Sequence, residues 1–317
     1  MLERPMFSLL SPGGARGRLS ILIFHRVLPA PDPIFPGEAS AAWFDAMLGW
    51  LKAWFNVLPL DEAVRRLGEG RLPARAAVIT FDDGYADNHD VALPLLQRHG
   101  LPATFFIATG FLDGGRMWND SVIEAVRRCP AAELDLAGLG EGDLGRHAVG
   151  TAEEKRRAIE AVIGAIKYQP LAARAALVER IGERAGAELP GDLMMTADQV
   201  RALRRAGMQI GGHTVSHPIL ATLDDGAARY EIAEGKRRLE EILGEPVTLF
   251  AYPNGKPAAD YSPASVALVR ELGFQAAVST AWGAAGPASD PFQLPRFTPW
   301  DRSRGRFALR LARNLVA

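Results

Sequence analysis

The sequence predicts an α/β fold of about seven parallel strands in a barrel-type arrangement. Three observations predict it. Short apolar runs such as Ala76–Phe81 and Ala103–Ala108 lack the polar alternation of a half-exposed strand, as expected of strands covered on both faces. Stretches with helical periodicity separate these runs. Polar residues with metal or acid–base chemistry (His25, Asp82, Asp83, His213) collect where the runs end, the edge at which parallel β/α folds carry their function.

In order, Ile21-Leu22-Ile23-Phe24 predicts a buried strand ending at His25. Residues 29–37 hold Pro29, Pro31, Pro33 and Pro36 and predict a loop. Residues 40–54 place Phe44, Met47, Leu48, Leu51 and Trp54 on one helical side. A short strand follows at Asn56–Leu60, and a helix with Asp61 as N-cap runs to about Leu67. Strand Ala76–Phe81, helix Tyr85–His99 stopped by Gly100, and strand Ala103–Ala108 continue the alternation. From about 110 to 200 the rhythm breaks, with helical patterning at 119–128, 151–167 and 171–186 and no clear strand. We read this stretch as a helical insertion in a single domain spanning 1–317, because a bare loop of that length is rare. Helix 196–206, strand Met208–Gly211, helix 224–243, strand Thr248–Tyr252, helix 263–272, strand Phe274–Ser279, a short strand at 293–297 and helix 303–315 complete the pattern.

Composition narrows the function. The 317 residues are 48% hydrophobic and 23% charged with a net charge of −1, which suits a globular protein and argues against a general nucleic-acid binder. A single cysteine, Cys129, excludes an intramolecular disulfide and, lying far in sequence from the candidate histidines, argues against thiolate metal ligation. The N-terminal stretch, interrupted by Pro5, Pro12 and the Gly-Arg segment 13–18, does not resemble a signal peptide. No window is apolar enough for a membrane span. The expectation is a cytoplasmic protein.

Two motifs carry the chemistry. Thr80-Phe81-Asp82-Asp83-Gly84 places adjacent carboxylates at a strand end, and His213-Thr214-Val215-Ser216-His217 places two imidazoles four residues apart. One carboxylate with two histidines makes a three-ligand site for a divalent ion, with positions left for water and substrate. The division of labour we expect is Asp83 as ligand and Asp82 as the base that takes a proton from activated water. Turn chemistry is the alternative for Asp-Asp-Gly taken alone. The i, i+4 spacing of His213 and His217 suggests one side of a helical turn, with Gly211-Gly212 allowing close backbone approach. His89, His99 and His147 are expected to be ordinary solvated histidines. Trp118, Trp282 and Trp300 suit either stacking on a ligand ring or simple packing.

Together with Ala251-Tyr252-Pro253-Asn254-Gly255, these motifs resemble the polysaccharide deacetylase family, the NodB-homology domain of carbohydrate esterase family four, over residues 21 to about 300. The resemblance implies a distorted (β/α)7 barrel with a divalent metal, zinc first, with cobalt, nickel, manganese or iron as alternatives. It implies removal of N-acetyl or O-acetyl groups from a saccharide, and association with a polysaccharide biosynthesis system. It makes Asp82 the general base, Asp83, His213 and His217 the metal ligands, and the Tyr252 N–H an oxyanion donor. Two departures stand out: Phe250 and Ala251 occupy the place of the family's arginine, and no histidine follows His217 to supply the usual general acid. His25 is our replacement, as in a branch of the family that supplies this histidine from the N-terminal strand. Arg296 is expected to orient Asp82 or a substrate carbonyl, or to form a structural ion pair. Rival expectations are hydrolysis of a non-sugar amide on the same barrel and a non-catalytic glycan-binding or assembly protein.

Overall fold

Short, largely apolar runs without polar alternation do form the central strands. The computed structural model describes residues 3–140 and 142–317. Met1, Leu2 and Glu141, part of the N-terminal stretch and insertion read above, lie outside the described residues. In chain order the elements are α1 (Glu3–Leu10), β1 (Leu19–Phe24), α2 (Ala41–Trp54), β2 (Asn56–Val57), α3 (Leu60–Gly68), β3 (Ala76–Phe81), α4 (Leu93–His99) and β4 (Thr104–Ile107). There follow α5 (Trp118–Arg128), β5 (Glu133–Asp135), β6 (Arg146–Ala148), α6 (Ala152–Ile166), α7 (Leu171–Ala185) and α8 (Ala197–Arg205). The chain ends with β7 (Gln209–Gly212), α9 (Asp225–Leu243), β8 (Leu249–Ala251), α10 (Pro263–Glu271), β9 (Ala276–Val278) and α11 (Arg304–Val316).

The chain divides into two compact units. The first takes in the N-terminal stretch to Ala30, Ala39–Asp113 and Met194–Ala317; the second takes in Pro31–Glu38 and Gly114–Leu193.

In the first unit the strands pair in the order β1-β3-β4-β7-β8-β9, all parallel, with β2 also on β3. Residues 294–297 bridge both ends of this path: Leu294 pairs with Val278 and Phe297 with Leu22. The Ile23 N–H donates to the Phe297 carbonyl at 3.0 Å, and the Ser279 N–H to that of Leu294 at 2.8 Å. The parallel strands therefore curl as the expected distorted barrel does. Every residue of β1 and β3 is buried. Helix α2 packs the predicted stripe of Phe44, Met47, Leu48, Leu51 and Trp54 inward. Burying one such side chain contributes about 1.5–3 kcal/mol.

Some local expectations change. Pro59, not Asp61, stands at the N-cap of α3, and Asp61 lies in its first turn. The expected helix 85–99 is interrupted at Asn88–Ala92 by a π-helical segment, a widened turn often found at functional sites. In the second unit, helices α5, α6 and α7 lie close to the expected ranges. An antiparallel pair, β5 with β6, was not expected there. Both strands are three residues long, and Leu134 is their one buried residue, too little to leave a readable period-two pattern. The proline-rich segment joins this unit through Asp32, which accepts from the Ile34 N–H at 2.8 Å and pairs with Arg127.

Candidate metal centre and active site

All seven residues singled out from the sequence belong to the first unit. Five lie directly beyond strand ends. Asp82 and Asp83 follow β3, and the backbone turns at once: Asp83 has φ of 77° and Gly84 of 92°. This left-handed turn ends the strand pleat between the two carboxylates, which take different partners.

Asp82 turns to Arg296. Its Oδ1 and Oδ2 accept from the two terminal guanidinium nitrogens at 2.8 and 2.7 Å. The same guanidinium donates from Nε to the Ser279 carbonyl at 2.8 Å, and its backbone N–H donates to Ala281. Arg296 is 1% exposed and Asp82 2% exposed, so the fork is desolvated. Burial works against the Asp82 charge, but Arg296, His213 and His25 hold its carboxyl below the usual carboxylate range. Each carboxylate oxygen keeps a lone pair for a proton. Of the roles expected for Arg296, the structure shows it holding Asp82.

Asp83 turns to the histidines. Its Oδ1 lies 3.3 Å from His213 Nε2 and 3.4 Å from His217 Nε2. The His213 ring is fixed from behind, with Nδ1 2.7 Å from the Ala251 carbonyl, so that Nδ1 carries the proton and Nε2 presents a lone pair. Gly211 makes room: a Cβ there would sit 2.4 Å from the Phe106 ring. Burial drives the His217 imidazole down to about 4, so it is neutral and ligand-ready near neutral pH. Burial opposes the Asp83 charge, yet His217, His213 and His25 hold it well below the usual range.

The helical turn expected for 213–217 is not formed. Thr214 and His217 take left-handed φ of 66° and 54°, and the His217 N–H donates to Thr214 Oγ1. The imidazoles still converge, with ring centres 4.8 Å apart. Tertiary bonds set the loop: the Thr109 and Gly110 N–H groups donate to the Thr214 and Val215 carbonyls.

The residues fit a divalent ion. Their three ligand atoms lie within 4.8 Å of one another. Asp83 Oδ1 is buried without a hydrogen-bond partner, a costly state for a carboxylate oxygen. Tetrahedral zinc with bonds of about 2.0–2.1 Å sets its ligands about 3.3–3.4 Å apart. The Asp83–histidine separations match that edge.

The other expected residues are placed less simply. His25 follows β1 with an exposed side chain. The Asp82 N–H donates to the Phe24 carbonyl at 2.9 Å, which sets His25 beside the Asp82–Asp83 pair at the same sheet edge. Tyr252 is buried, stacked on Tyr261 at 3.9 Å, with its hydroxyl on the Phe292 carbonyl. Its N–H, expected to await an oxyanion, donates to the Val278 carbonyl at 3.2 Å, because the β8–β9 ladder runs one residue past Ala251. An oxyanion would have to exchange with that long bond. Trp118 packs under Arg174 in the second unit, while Trp282 and Trp300 flank Arg310. His89 and His99 pair with Asp90 and Asp45.

Three residues were not singled out. Asp87 accepts from Arg26 Nε at 2.7 Å and the Val27 N–H at 3.0 Å, and Asn88 Nδ2 donates to the His25 carbonyl at 2.8 Å. They dock the His25 segment onto the turn after Asp83. The sequence signal was two polar residues in the first turn of a helix, indistinguishable from ordinary helix-start chemistry. Glu231, on α9, holds the 213–217 loop and left no motif.

Comparison with known proteins agrees with this geometry. The family profile "Polysaccharide deacetylase" matches residues 69–134 and 153–277, more than half of the chain. YxkH of Bacillus subtilis (strain 168), named for polysaccharide deacetylase, is 21% identical over 281 residues, covering 88% of this chain and 70% of that protein. The poly-beta-1,6-N-acetyl-D-glucosamine N-deacetylase of Staphylococcus aureus (strain N315) is 28% identical over 111 residues, 35% of this chain and 37% of that protein. Among solved structures, IcaB from Ammonifex degensii superposes with a TM-score of 0.61 at 19% identity, over 97% of this chain and 99% of that one. The Streptococcus pyogenes deacetylase PplD superposes with a TM-score of 0.58 at 20% identity, over 89% and 92%. These structures share the fold. The motif order, the curled parallel sheet and the family match lead to one assignment: the chain belongs to the polysaccharide deacetylase family.

Proposed function

We propose that the protein is a metal-dependent hydrolase that removes N-acetyl groups from a saccharide. The observation that carries the proposal is the adjacency of two differently committed carboxylates: Asp83 with its bare oxygen between two imidazoles, and Asp82 gripped by Arg296. A divalent ion held by Asp83, His213 and His217, zinc foremost, would supply Lewis-acid charge and a lowered water pKa. Asp82 accepts the proton of the attacking water, kept ionised and aimed by Arg296. His25 protonates the departing amine nitrogen, and its exposed position leaves it room to meet substrate. The Tyr252 N–H supports the developing oxyanion by exchanging its bond with Val278.

The name of the Staphylococcus aureus relatives points to a poly-N-acetylglucosamine as the first substrate class, and acetate is the ligand in the PplD structure. No helix among the described residues is long and apolar enough to cross a membrane. The test is a substrate panel: β-1,6-linked N-acetylglucosamine oligomers as named for that relative, other N-acetylhexosamine oligomers, O-acetylated sugars and simple acetanilides. Amine formation on the oligomers, read by mass spectrometry, supports the proposal. Cleavage confined to acetanilides would replace it with a non-sugar amidohydrolase. Tight glycan binding without any product would replace it with a binding protein.

A further inference from the structure

The loop that carries both histidines adopts a conformation its own sequence does not favour. Thr214, a β-branched residue, and His217 both sit at left-handed φ. Such a loop keeps its shape only if its surroundings over-determine it. Its carbonyls are held from one side by the Thr109 and Gly110 N–H groups.

From the other side stands α9, a helix capped by Asp224 and packed through Ala228, Ile232, Gly235 and Leu239. Glu231 Oε2 accepts from the Val215 N–H at 2.9 Å and the Ser216 N–H at 2.8 Å, and Oε1 accepts from Ser216 Oγ at 2.6 Å. One helical turn on, Gly235 lets the loop close down: a Cβ there would meet the Thr214 carbonyl carbon and oxygen at 2.9 Å.

We infer that Glu231 is a positioning residue for the metal centre, fixing the loop so that His217 Nε2 faces Asp83. The inference rests on the metal reading of Asp83, His213 and His217. His213 does not need this help, since Ile107 and Ala251 hold it directly. His217 is the more exposed ligand, at 20% against 2% for the His213 side chain, and Thr214 Oγ1 holds its N–H within the same loop. Loss of the Glu231 clasp should therefore act through His217 alone.

The test is zinc affinity of the full chain by competition with a chromogenic chelator, with circular dichroism to confirm folding. Glu231→Ala is expected to weaken zinc binding about 10- to 100-fold, the usual effect of losing an outer partner of a metal ligand. Ser216→Ala, which leaves the helix untouched, should weaken it about 2- to 10-fold, the worth of one hydrogen bond. In a His217→Ala background both effects should shrink to under about 2-fold. Cobalt-loaded Glu231→Ala should show the same visible absorption shift as His217→Ala. Undiminished zinc affinity in both single variants, or equal losses with and without His217, would overturn the inference. Failure of the unaltered chain to bind zinc or cobalt would instead remove the metal reading itself.

Discussion

Replacing Arg296 by methionine would leave the Asp82 carboxylate almost wholly buried and without its ion-pair partner. Both side chains are almost wholly buried, and two of the three nitrogens of the guanidinium grip the carboxylate. Removing one partner of a buried pair costs about 3–5 kcal/mol if the other stays charged. Asp82 has an escape, which is to take up a proton. From an ordinary carboxyl value of 3.8, that costs about 4.4 kcal/mol at pH 7 and about 2.3 kcal/mol at pH 5.5. The cheaper route sets the loss, so the variant should lose about 3–4 kcal/mol at pH 7 and about 2 kcal/mol at pH 5.5. The assay is thermal unfolding of chelator-treated protein at both pH values, where a drop of about 4–6 °C is expected at pH 7. Adding Asp82→Asn to the variant should restore much of the loss, because no charge is then stranded. A pH-independent loss, or one below about 1 kcal/mol at pH 7, would refute the reasoning.

Other expectations follow from the same geometry. His25→Ala should lower turnover about 100-fold or more with metal content unchanged, and lost metal would recast it as a ligand. Asn88→Ala, which releases the His25 carbonyl, should lower turnover less and add nothing in the His25→Ala background. Zinc at about 100 times its dissociation constant should stabilise the protein by about 2.7 kcal/mol, and His213→Ala should abolish the thermal shift. In the second unit, burial opposes the Asp32 charge, but Arg127 and the Ile34 and Phe35 N–H groups hold its carboxyl below the usual range. A depressed carboxyl stabilises above its unfolded value of 3.8 and loses that contribution as pH falls through its folded value. Asp32→Ala should therefore flatten the acid limb of the unfolding curve below about pH 4, and an unchanged limb would contradict the pairing.

What could be read in advance follows the range of the interactions. The candidate site was legible because Asp82, Asp83, His213 and His217 belong to two short motifs at the ends of apolar runs. The strands were legible because β1 and β3 are buried throughout and are apolar except for Ser20 and Thr80. The loop geometry was not: four-residue spacing suggests a helical turn, but bonds from Thr109, Gly110 and Glu231 impose left-handed backbone instead. Glu231 looks like any helical glutamate until α9 is laid against the loop. Arg296 was recognised as a candidate, but its choice of Asp82 depends on the 294–297 segment bridging β1 and β9. The tie of the proline-rich segment to the second unit rests on Asp32 and Arg127, 95 residues apart in sequence.

The most direct test of the account is to measure bound metal and acetate release on one preparation of Asp82→Asn beside the unaltered, zinc-loaded chain. The account predicts one ion per chain in both, with acetate released from N-acetylglucosamine oligomers only by the chain that keeps Asp82. Undiminished release by Asp82→Asn, or its failure to hold the ion, would contradict the division of labour between Asp82 and Asp83.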